Sequence, residues 1–131
     1  MTCEFGPVNP SKRCLPVLKE ILNKFLILNG VQAAILVQEN GEIVESIKSG
    51  IKIDENLQNA IATLMIDSKS TATRLADSPL SMLFVEYEDF FIIMGPVMEE
   101  FFLLIIAKST STIGQITYAM KKNQEAIVSF L

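Results

Sequence analysis

Two long apolar segments, at residues 90–94 and 101–107, constrain the fold of this chain more than any other feature. Their sequences are Phe-Phe-Ile-Ile-Met and Phe-Phe-Leu-Leu-Ile-Ile-Ala, and neither alternates between apolar and polar residues. A strand with one face in water shows such alternation, so an uninterrupted apolar segment predicts a strand that is covered on both faces. We therefore expect a sheet with helices on both sides.

The same region, taken as a whole, is about as long as a minimal transmembrane helix. Gly95, Pro96, Glu99 and Glu100 interrupt it near its middle. Each charged residue near the centre of a bilayer costs about 2.5–3.5 kcal/mol, so two adjacent glutamates make a spanning helix prohibitively costly. Two strands joined by a turn are the better interpretation, and we expect no membrane insertion.

The first third of the chain predicts a helix followed by a hairpin. The helix is expected to begin at residues 14–16, and its apolar face consists of Leu15, Leu18, Leu22, Phe25 and Leu26. Asn29-Gly30 follows, where a glycine can supply the left-handed residue that ends many helices. Residues 31–38 and 42–48 have strand patterns. Asn40-Gly41 between them predicts a type I′ turn, which needs a positive φ at both central residues.

The remainder predicts a second helix, three strands and a last helix. The second helix is expected over residues 55–76 with Asp54 as its N-cap, and its core side is predicted to consist of Leu57, Ile61, Leu64, Ser68, Ala72 and Leu75. The next strand is expected from Leu80 to Glu86 or beyond. Thr112 and Gln115 have the spacing of a capping box. The inward residues of the last helix are predicted to be Ile113, Ile116, Met120, Ile127 and Leu131.

A second stripe on the long helix carries small or apolar residues where a solvated helix would carry charges. Its members are Ala62, Met65, Ile66, Lys69, Thr73 and Ala76. One interpretation is an exposed surface of good helix formers; the other is a close helix–helix contact across a dimer. Hydrophobic residues make up 50% of this short chain, more than a small monomer can hide. We therefore predict a dimer interface formed by this stripe together with Met82 and Phe84.

The residue types argue against catalysis by this chain. It has no histidine, and its six glycines are too scattered to form a P-loop or a dinucleotide-binding loop. Cys3 and Cys14 have no further Cys or His with which to complete a metal site, so we expect ordinary thiols. The acidic pairs at 54–55, 88–89 and 99–100 lie at predicted turns or at a helix start, where carboxylates satisfy backbone donors. We predict no catalytic, cofactor-binding or metal-binding residue and no nucleotide hydrolysis.

The net charge of the chain bears on its partners, and its first eleven residues bear on its cellular compartment. The net charge of −4 comes from 11 basic and 15 acidic residues without a basic cluster, which argues against binding to nucleic acid. Residues 1–11 contain no apolar signal segment, so the cytoplasm is the expected compartment. We predict that residues 1–11 are a flexible extension and that residues 12–131 form one domain.

Several motifs, in their order and spacing, resemble the roadblock family (roadblock/dynein light chain domains) from Leu15 to about Leu131. They are Asn29-Gly30-Val31, Asn40-Gly41, Asp54-Glu55-Asn56-Leu57 and Ile113-Gly114-Gln115-Ile116. The resemblance implies an α+β sandwich, profilin-like, with a five-stranded antiparallel sheet and the element order α-β-β-α-β-β-β-α. It places the long second helix on one face and the terminal helices on the other. It also implies non-enzymatic dimers that join through the second helices and the edge strand that follows them.

The family resemblance leaves three functions open. The first is a homodimeric scaffold or regulator of a small Ras-like GTPase, paired with itself or with a roadblock paralogue. The second is a motor or vesicle-trafficking adaptor that holds a peptide of a larger complex, and a longin-type domain would share the element order. The third is a ligand-sensing domain, which the lack of a convergent polar set disfavours.

An arginine finger is the usual means by which a partner accelerates GTP hydrolysis, by about 10³–10⁵. The two arginines are Arg13 and Arg74. Arg13 lies in the N-terminal lead-in, and Arg74 falls on the predicted charged side of the second helix. Arg74 is therefore the candidate GTPase contact, with an ordinary solvated role as the alternative.

Overall fold

The computed structural model describes residues 10–52 and 54–131, with the backbone alone at residues 10–17. The predicted element order and the five-stranded antiparallel sheet are confirmed. Among the described helices, none combines the length and the apolar character that a membrane span needs. The elements are α1 Pro10–Leu26, β1 Val31–Gln38, β2 Ile43–Lys48, α2 Glu55–Leu75, β3 Leu83–Glu86, β4 Phe90–Met98, β5 Phe101–Lys108 and α3 Ile113–Val128. The strand order is β2-β1-β5-β4-β3.

The two long apolar segments form β4 and β5 in the interior of the sheet, and both of their faces are covered. Side chains on one face pack with α1 and α3, through Leu22, Phe25 and Met120 among others. Side chains on the other face pack with Ile61 and Met65 of α2. Adjacent residues of one strand therefore enter different clusters, and this accounts for the absence of polar alternation.

The chain forms α2 as its pattern predicts. The Asp54 Oδ1 atom accepts a hydrogen bond from the Leu57 backbone N–H at 2.9 Å, so one orphan donor of the first turn is satisfied. The helix then continues for 21 residues to Leu75. The predicted N-cap is confirmed, and the helix end differs by one residue.

The β1–β2 hairpin is present, but its turn is not type I′. The Gln38 carbonyl accepts from the Gly41 N–H at 2.8 Å, and the Gln38 N–H donates to the Glu42 carbonyl at 2.8 Å. Among the described residues a positive φ occurs only at glycines, and Gly41 has φ +91°. Asn40 therefore cannot supply the second positive φ. The loop has three residues, with Gly41 as its single left-handed residue.

Several boundaries differ from those expected. Helix α1 begins at Pro10, so Pro10 and Ser11 belong to it, whereas residues 1–9 lie outside the described part of the chain. Strand β3 begins at Leu83, three residues later than predicted, because residues 79–82 do not pair with β4. Strand β4 continues to Met98.

Helix α3 starts after Thr112 as predicted, without the side-chain bond of a capping box. Ile116, Met120 and Ile127 are buried as expected, whereas Ile113 and Leu131 at its ends are exposed. Asn123 is buried instead, and its Nδ2 atom donates to the Ala119 carbonyl at 2.8 Å. A polar side chain can therefore occupy the inner face because the helix backbone satisfies it.

Candidate interaction surface

Helix α2 is anchored to the sheet by few side chains. Of its 21 residues, only Ile61 and Met65 are buried. The shorter α3 has 16 residues and buries four side chains. A helix on a sheet normally buries a broad apolar stripe. The sides of α2 that flank Ile61 and Met65 are therefore the main unpartnered helical surfaces in the described chain.

One side of α2 faces the tips of two hairpins, and we call it the hairpin flank: Ala62, Ile66, Lys69 and Thr73. Gly41 approaches Ala62 so closely that a Cβ atom at position 41 would collide with the alanine methyl group. The Lys69 Nζ atom lies 3.0 Å from the Glu39 Oε2 atom. The hairpin flank is therefore partly covered by its own chain.

The opposite side, which we call the edge flank, consists of Ser68, Thr71, Ala72 and Leu75. These four residues line a cavity of about 280 Å³ together with Leu80 and Leu83. Leu75 is 81% exposed, although the periodicity of the helix assigned it to the core. Because Leu83 opens β3, the edge flank is continuous with the margin of the sheet.

Strand β3 is an edge strand whose outer side has no neighbouring strand among the described residues. It pairs with β4 over four residues, Leu83 to Glu86. Phe84 lies opposite Ile93, and its ring centroid is 5.3 Å from that of Phe91. Phe84 is nevertheless 41% exposed. Unpaired N–H and C=O groups beside an exposed aromatic ring are typical of an edge that another chain can extend.

The predicted dimer residues do not form one surface. Met65 is fully buried between α2 and the sheet, because the helix turns this position towards the sheet, so its side chain is not on the surface of the single chain. Ala62 and Lys69 contact the β1–β2 loop. Met82 and Phe84 lie on the α1/α3 side of the sheet, with Met82 packed against that core. The exposed positions of the stripe are Ile66, Thr73 and Ala76.

Sequence reasoning missed Leu75 and Leu83 as surface residues because α2 crosses the sheet only near its middle. Leu75 has the spacing of a core residue, yet the last turn of α2 extends past the apolar strands.

Arg74 is exposed on the last turn of α2. A cation there interacts favourably with the partial negative charge at a helix C-terminus. Arg74 forms no ion pair with any other described residue. Its guanidinium group is accessible to a partner, and this leaves both the contact and the solvated interpretation open.

The described residues contain no group of three or more His, Cys, Asp or Glu side chains that could hold a metal ion. The predictions for Cys3 and for the Cys14 thiol fall outside the described side chains. The chemical resources of the surface are therefore apolar side chains, an open strand edge and scattered charges. Such a surface is suited to contact with another protein.

Solved structures share this arrangement of helices and strands. "MglB with tetrameric arrangement" superposes with a TM-score of 0.76 at 15% identity, over 88% of this chain and 88% of the other. The gliding protein MglB of Thermus thermophilus gives 0.74 at 17% identity, over 88% and 89%. A Roadblock/LC7 domain of Streptomyces avermitilis gives 0.74 at 12% identity, over 85% and 94%. No protein-family model and no curated protein matches the sequence.

Proposed function

We propose that this chain, whose fold is that of the Roadblock/LC7 domain, is a non-enzymatic module that pairs with a second roadblock-fold chain. The pair serves as a platform for a small Ras-like GTPase. The observation that carries the pairing is the continuity of the edge flank of α2 with the open edge of β3. The GTPase partner rests on the family resemblance of the sequence motifs.

A two-fold symmetric pair would cover the edge flank of α2 and the open edge of β3 at once. Antiparallel pairing of β3 with its copy would extend the sheet and satisfy the backbone groups at the edge. The same operation would bring the two edge flanks together, because each flank adjoins β3. An isologous contact of this kind uses one self-complementary patch on both chains. Leu75 and Phe84 would then leave water, which is the main favourable term in association.

The first prediction tests whether the edge flank or the hairpin flank of α2 forms the pairing surface. Leu75→Asp should convert the dimer to a monomer and raise the dissociation constant at least about 100-fold, because an unpaired carboxylate would be buried in the contact. Ile66→Asp is the matched control, since Ile66 is also exposed but lies on the hairpin flank. It should leave the dimer intact. Light scattering and sedimentation at micromolar concentration measure both.

An interface formed by the small-residue stripe, which contains Ile66 and not Leu75, requires the reverse order of effects. A wild-type protein that is monomeric at micromolar concentration would reject self-pairing through either flank. Circular dichroism on both variants shows whether the fold is retained, and the exposure of both side chains leads us to expect that it is.

The second prediction concerns the GTPase. The wild-type chain should bind a small Ras-like GTPase from the same organism in at least one nucleotide state. Arg74→Ala should weaken this binding modestly and leave any stimulated GTP hydrolysis within about tenfold. A loss near a thousandfold with binding intact would instead identify Arg74 as an arginine finger. Binding assays in both nucleotide states and single-turnover hydrolysis distinguish these results.

A chain that binds no Ras-like GTPase in either state would contradict the platform proposal. The adaptor function, in which the domain holds a peptide of a larger assembly, would then replace it. The specific observation that favours this second function is a pair of pockets beside the hairpin flank of α2, one lined by Ile66 and Glu100 and the other by Met98 and Glu99 among others.

A further inference from the structure

Two neighbouring open pockets, which together we call the groove, lie along the hairpin flank of α2, on the other side of the helix from the proposed pairing surface. Ile66 and Leu75 are nine residues apart, which at 3.6 residues per turn places them on opposite sides of the helix. The groove has two parts. One, of about 440 Å³, is lined by Glu39, Ile66 and Glu100 among others. The other, of about 380 Å³, is lined by Leu80, Met98, Glu99 and Phe102 among others.

Lys69 lines the second part and bridges from α2 to Glu39, which lines the first. Its Nζ atom is 3.0 Å from Glu39 and 5.7 Å from the centre of the Phe102 ring. The hairpin tips are themselves joined, since the Glu39 N–H donates to the Glu100 carbonyl at 2.9 Å. The groove is therefore bordered by fixed elements on both sides.

The floor of the groove combines apolar side chains, Ile66 and Met98 among them, with polar ones, and its rim is acidic. Ile66 and Met98 are 54% and 40% exposed. Four glutamates lie at the two tips: Glu39, Glu42, Glu99 and Glu100. Lys69 pairs with Glu39, whereas Glu99 and Glu100 form no ion pair with a described residue. The rim therefore keeps an excess of negative charge.

We propose that this groove binds a basic amphipathic helical segment of a partner protein. Apolar side chains of the segment would lie on Ile66 and Met98, and its Lys or Arg residues would face Glu99 and Glu100. Charge complementarity selects this partner over an acidic or neutral one. An enclosed pocket buries about 70–90% of a small ligand, whereas both parts of this groove are open to solvent, as a surface that receives a helix is. The inference adds a second binding surface and does not depend on pairing or on a GTPase.

The test uses a fluorescent peptide of about four helical turns with Leu at i, i+3, i+4 and i+7 and Lys at the other positions. The wild-type chain should bind it, and binding should weaken as the salt concentration rises. A peptide with Glu in place of Lys, and one with Ser in place of Leu, should each bind at least about tenfold more weakly. Fluorescence anisotropy measures all three.

Two double variants decide whether the groove is the site. Glu99→Lys/Glu100→Lys should weaken binding at least about tenfold by placing like charges opposite the peptide. Glu20→Lys/Glu125→Lys makes the same change of charge at exposed positions of α1 and α3, and it should change binding less than about twofold. Ile66→Ser tests the floor and should also weaken binding.

Three outcomes would overturn the inference. Equal losses in the two double variants would show that binding follows overall charge alone. Equal binding of the Leu-containing and Ser-containing peptides would remove the apolar floor from the site. Dissociation of a dimer by Glu99→Lys/Glu100→Lys would show that a second copy of the chain covers the groove. Peptide binding by the Leu75→Asp variant, whatever its oligomeric state, separates this inference from the pairing proposal.

Discussion

Replacing Gly41 by alanine is expected to lower the free energy of unfolding by about 2–4 kcal/mol. Two effects add at this position. Gly41 has φ +91°, a conformation that costs a residue with a Cβ atom about 1–2 kcal/mol. The new Cβ atom would also collide with the methyl group of Ala62 on α2. The hairpin or the helix must move, and the close packing between them is lost.

Gly50→Ala is the matched control for the backbone effect. Gly50 has φ +81°, and a Cβ atom built there meets nothing within 4 Å. Its substitution should therefore cost only the conformational part, about 1–2 kcal/mol. Urea unfolding of both variants measures the difference. Equal losses would show that the contact between Gly41 and Ala62 contributes nothing to stability.

A second variant, Gly41→Ala/Ala62→Gly, tests the contact directly. Glycine within a helix costs about 1 kcal/mol, so each single substitution should destabilise the protein. The pair should be more stable than the sum of the two losses predicts, because removing the Ala62 methyl group makes room for the new one. Strict additivity would contradict the collision.

Met65→Ala is expected to lower the free energy of unfolding by about 2–5 kcal/mol. Met65 is fully buried, and with Ile61 it supplies the only two buried side chains of α2. The smaller side chain would leave a cavity between α2 and the sheet. Ile66→Ala, one position along and more than half exposed, should change stability by less than about 0.5 kcal/mol.

The location of Met65 can be tested by measuring both variants in the Leu75→Asp background. Substitution of a core residue destabilises the protein there as much as in the wild-type chain. Substitution of an interface residue, as the small-residue stripe predicts for Met65, would lose its effect once the chains separate. A loss for Met65→Ala that vanishes in the Leu75→Asp background would therefore place Met65 in the interface after all.

Several features of this fold were predictable because a local interaction or the pattern of apolar residues specifies them. Asp54 caps α2 through a bond to the Leu57 N–H three residues later, a contact that needs no other part of the chain. The apolar segments that form β4 and β5 lack alternation because their two faces enter two different clusters. Asn40-Gly41 marks a hairpin because glycine accepts the positive φ that the loop requires.

The surface of α2 could not be predicted in the same way. Helical periodicity distinguishes an apolar side from a polar side, but it does not say how far the helix extends beyond the sheet. Leu75 has the helical spacing of a core residue and is exposed, whereas Met65 belongs to the small-residue stripe and is buried. The position of each depends on where α2 crosses β1, β4 and β5, which are far from it in sequence.

The sequence by itself determined the elements, their order and the coverage of both faces of the sheet, because these follow from contacts between near neighbours and from the period of apolar residues. The tertiary structure alone decided which flank of α2 remains open beside β3 and which one borders the acidic hairpin tips. It also placed Gly41 against Ala62 and brought Glu39 to Glu100 and Lys69. The physical reason is that such contacts join residues distant along the chain, and their geometry follows from the packing of whole elements.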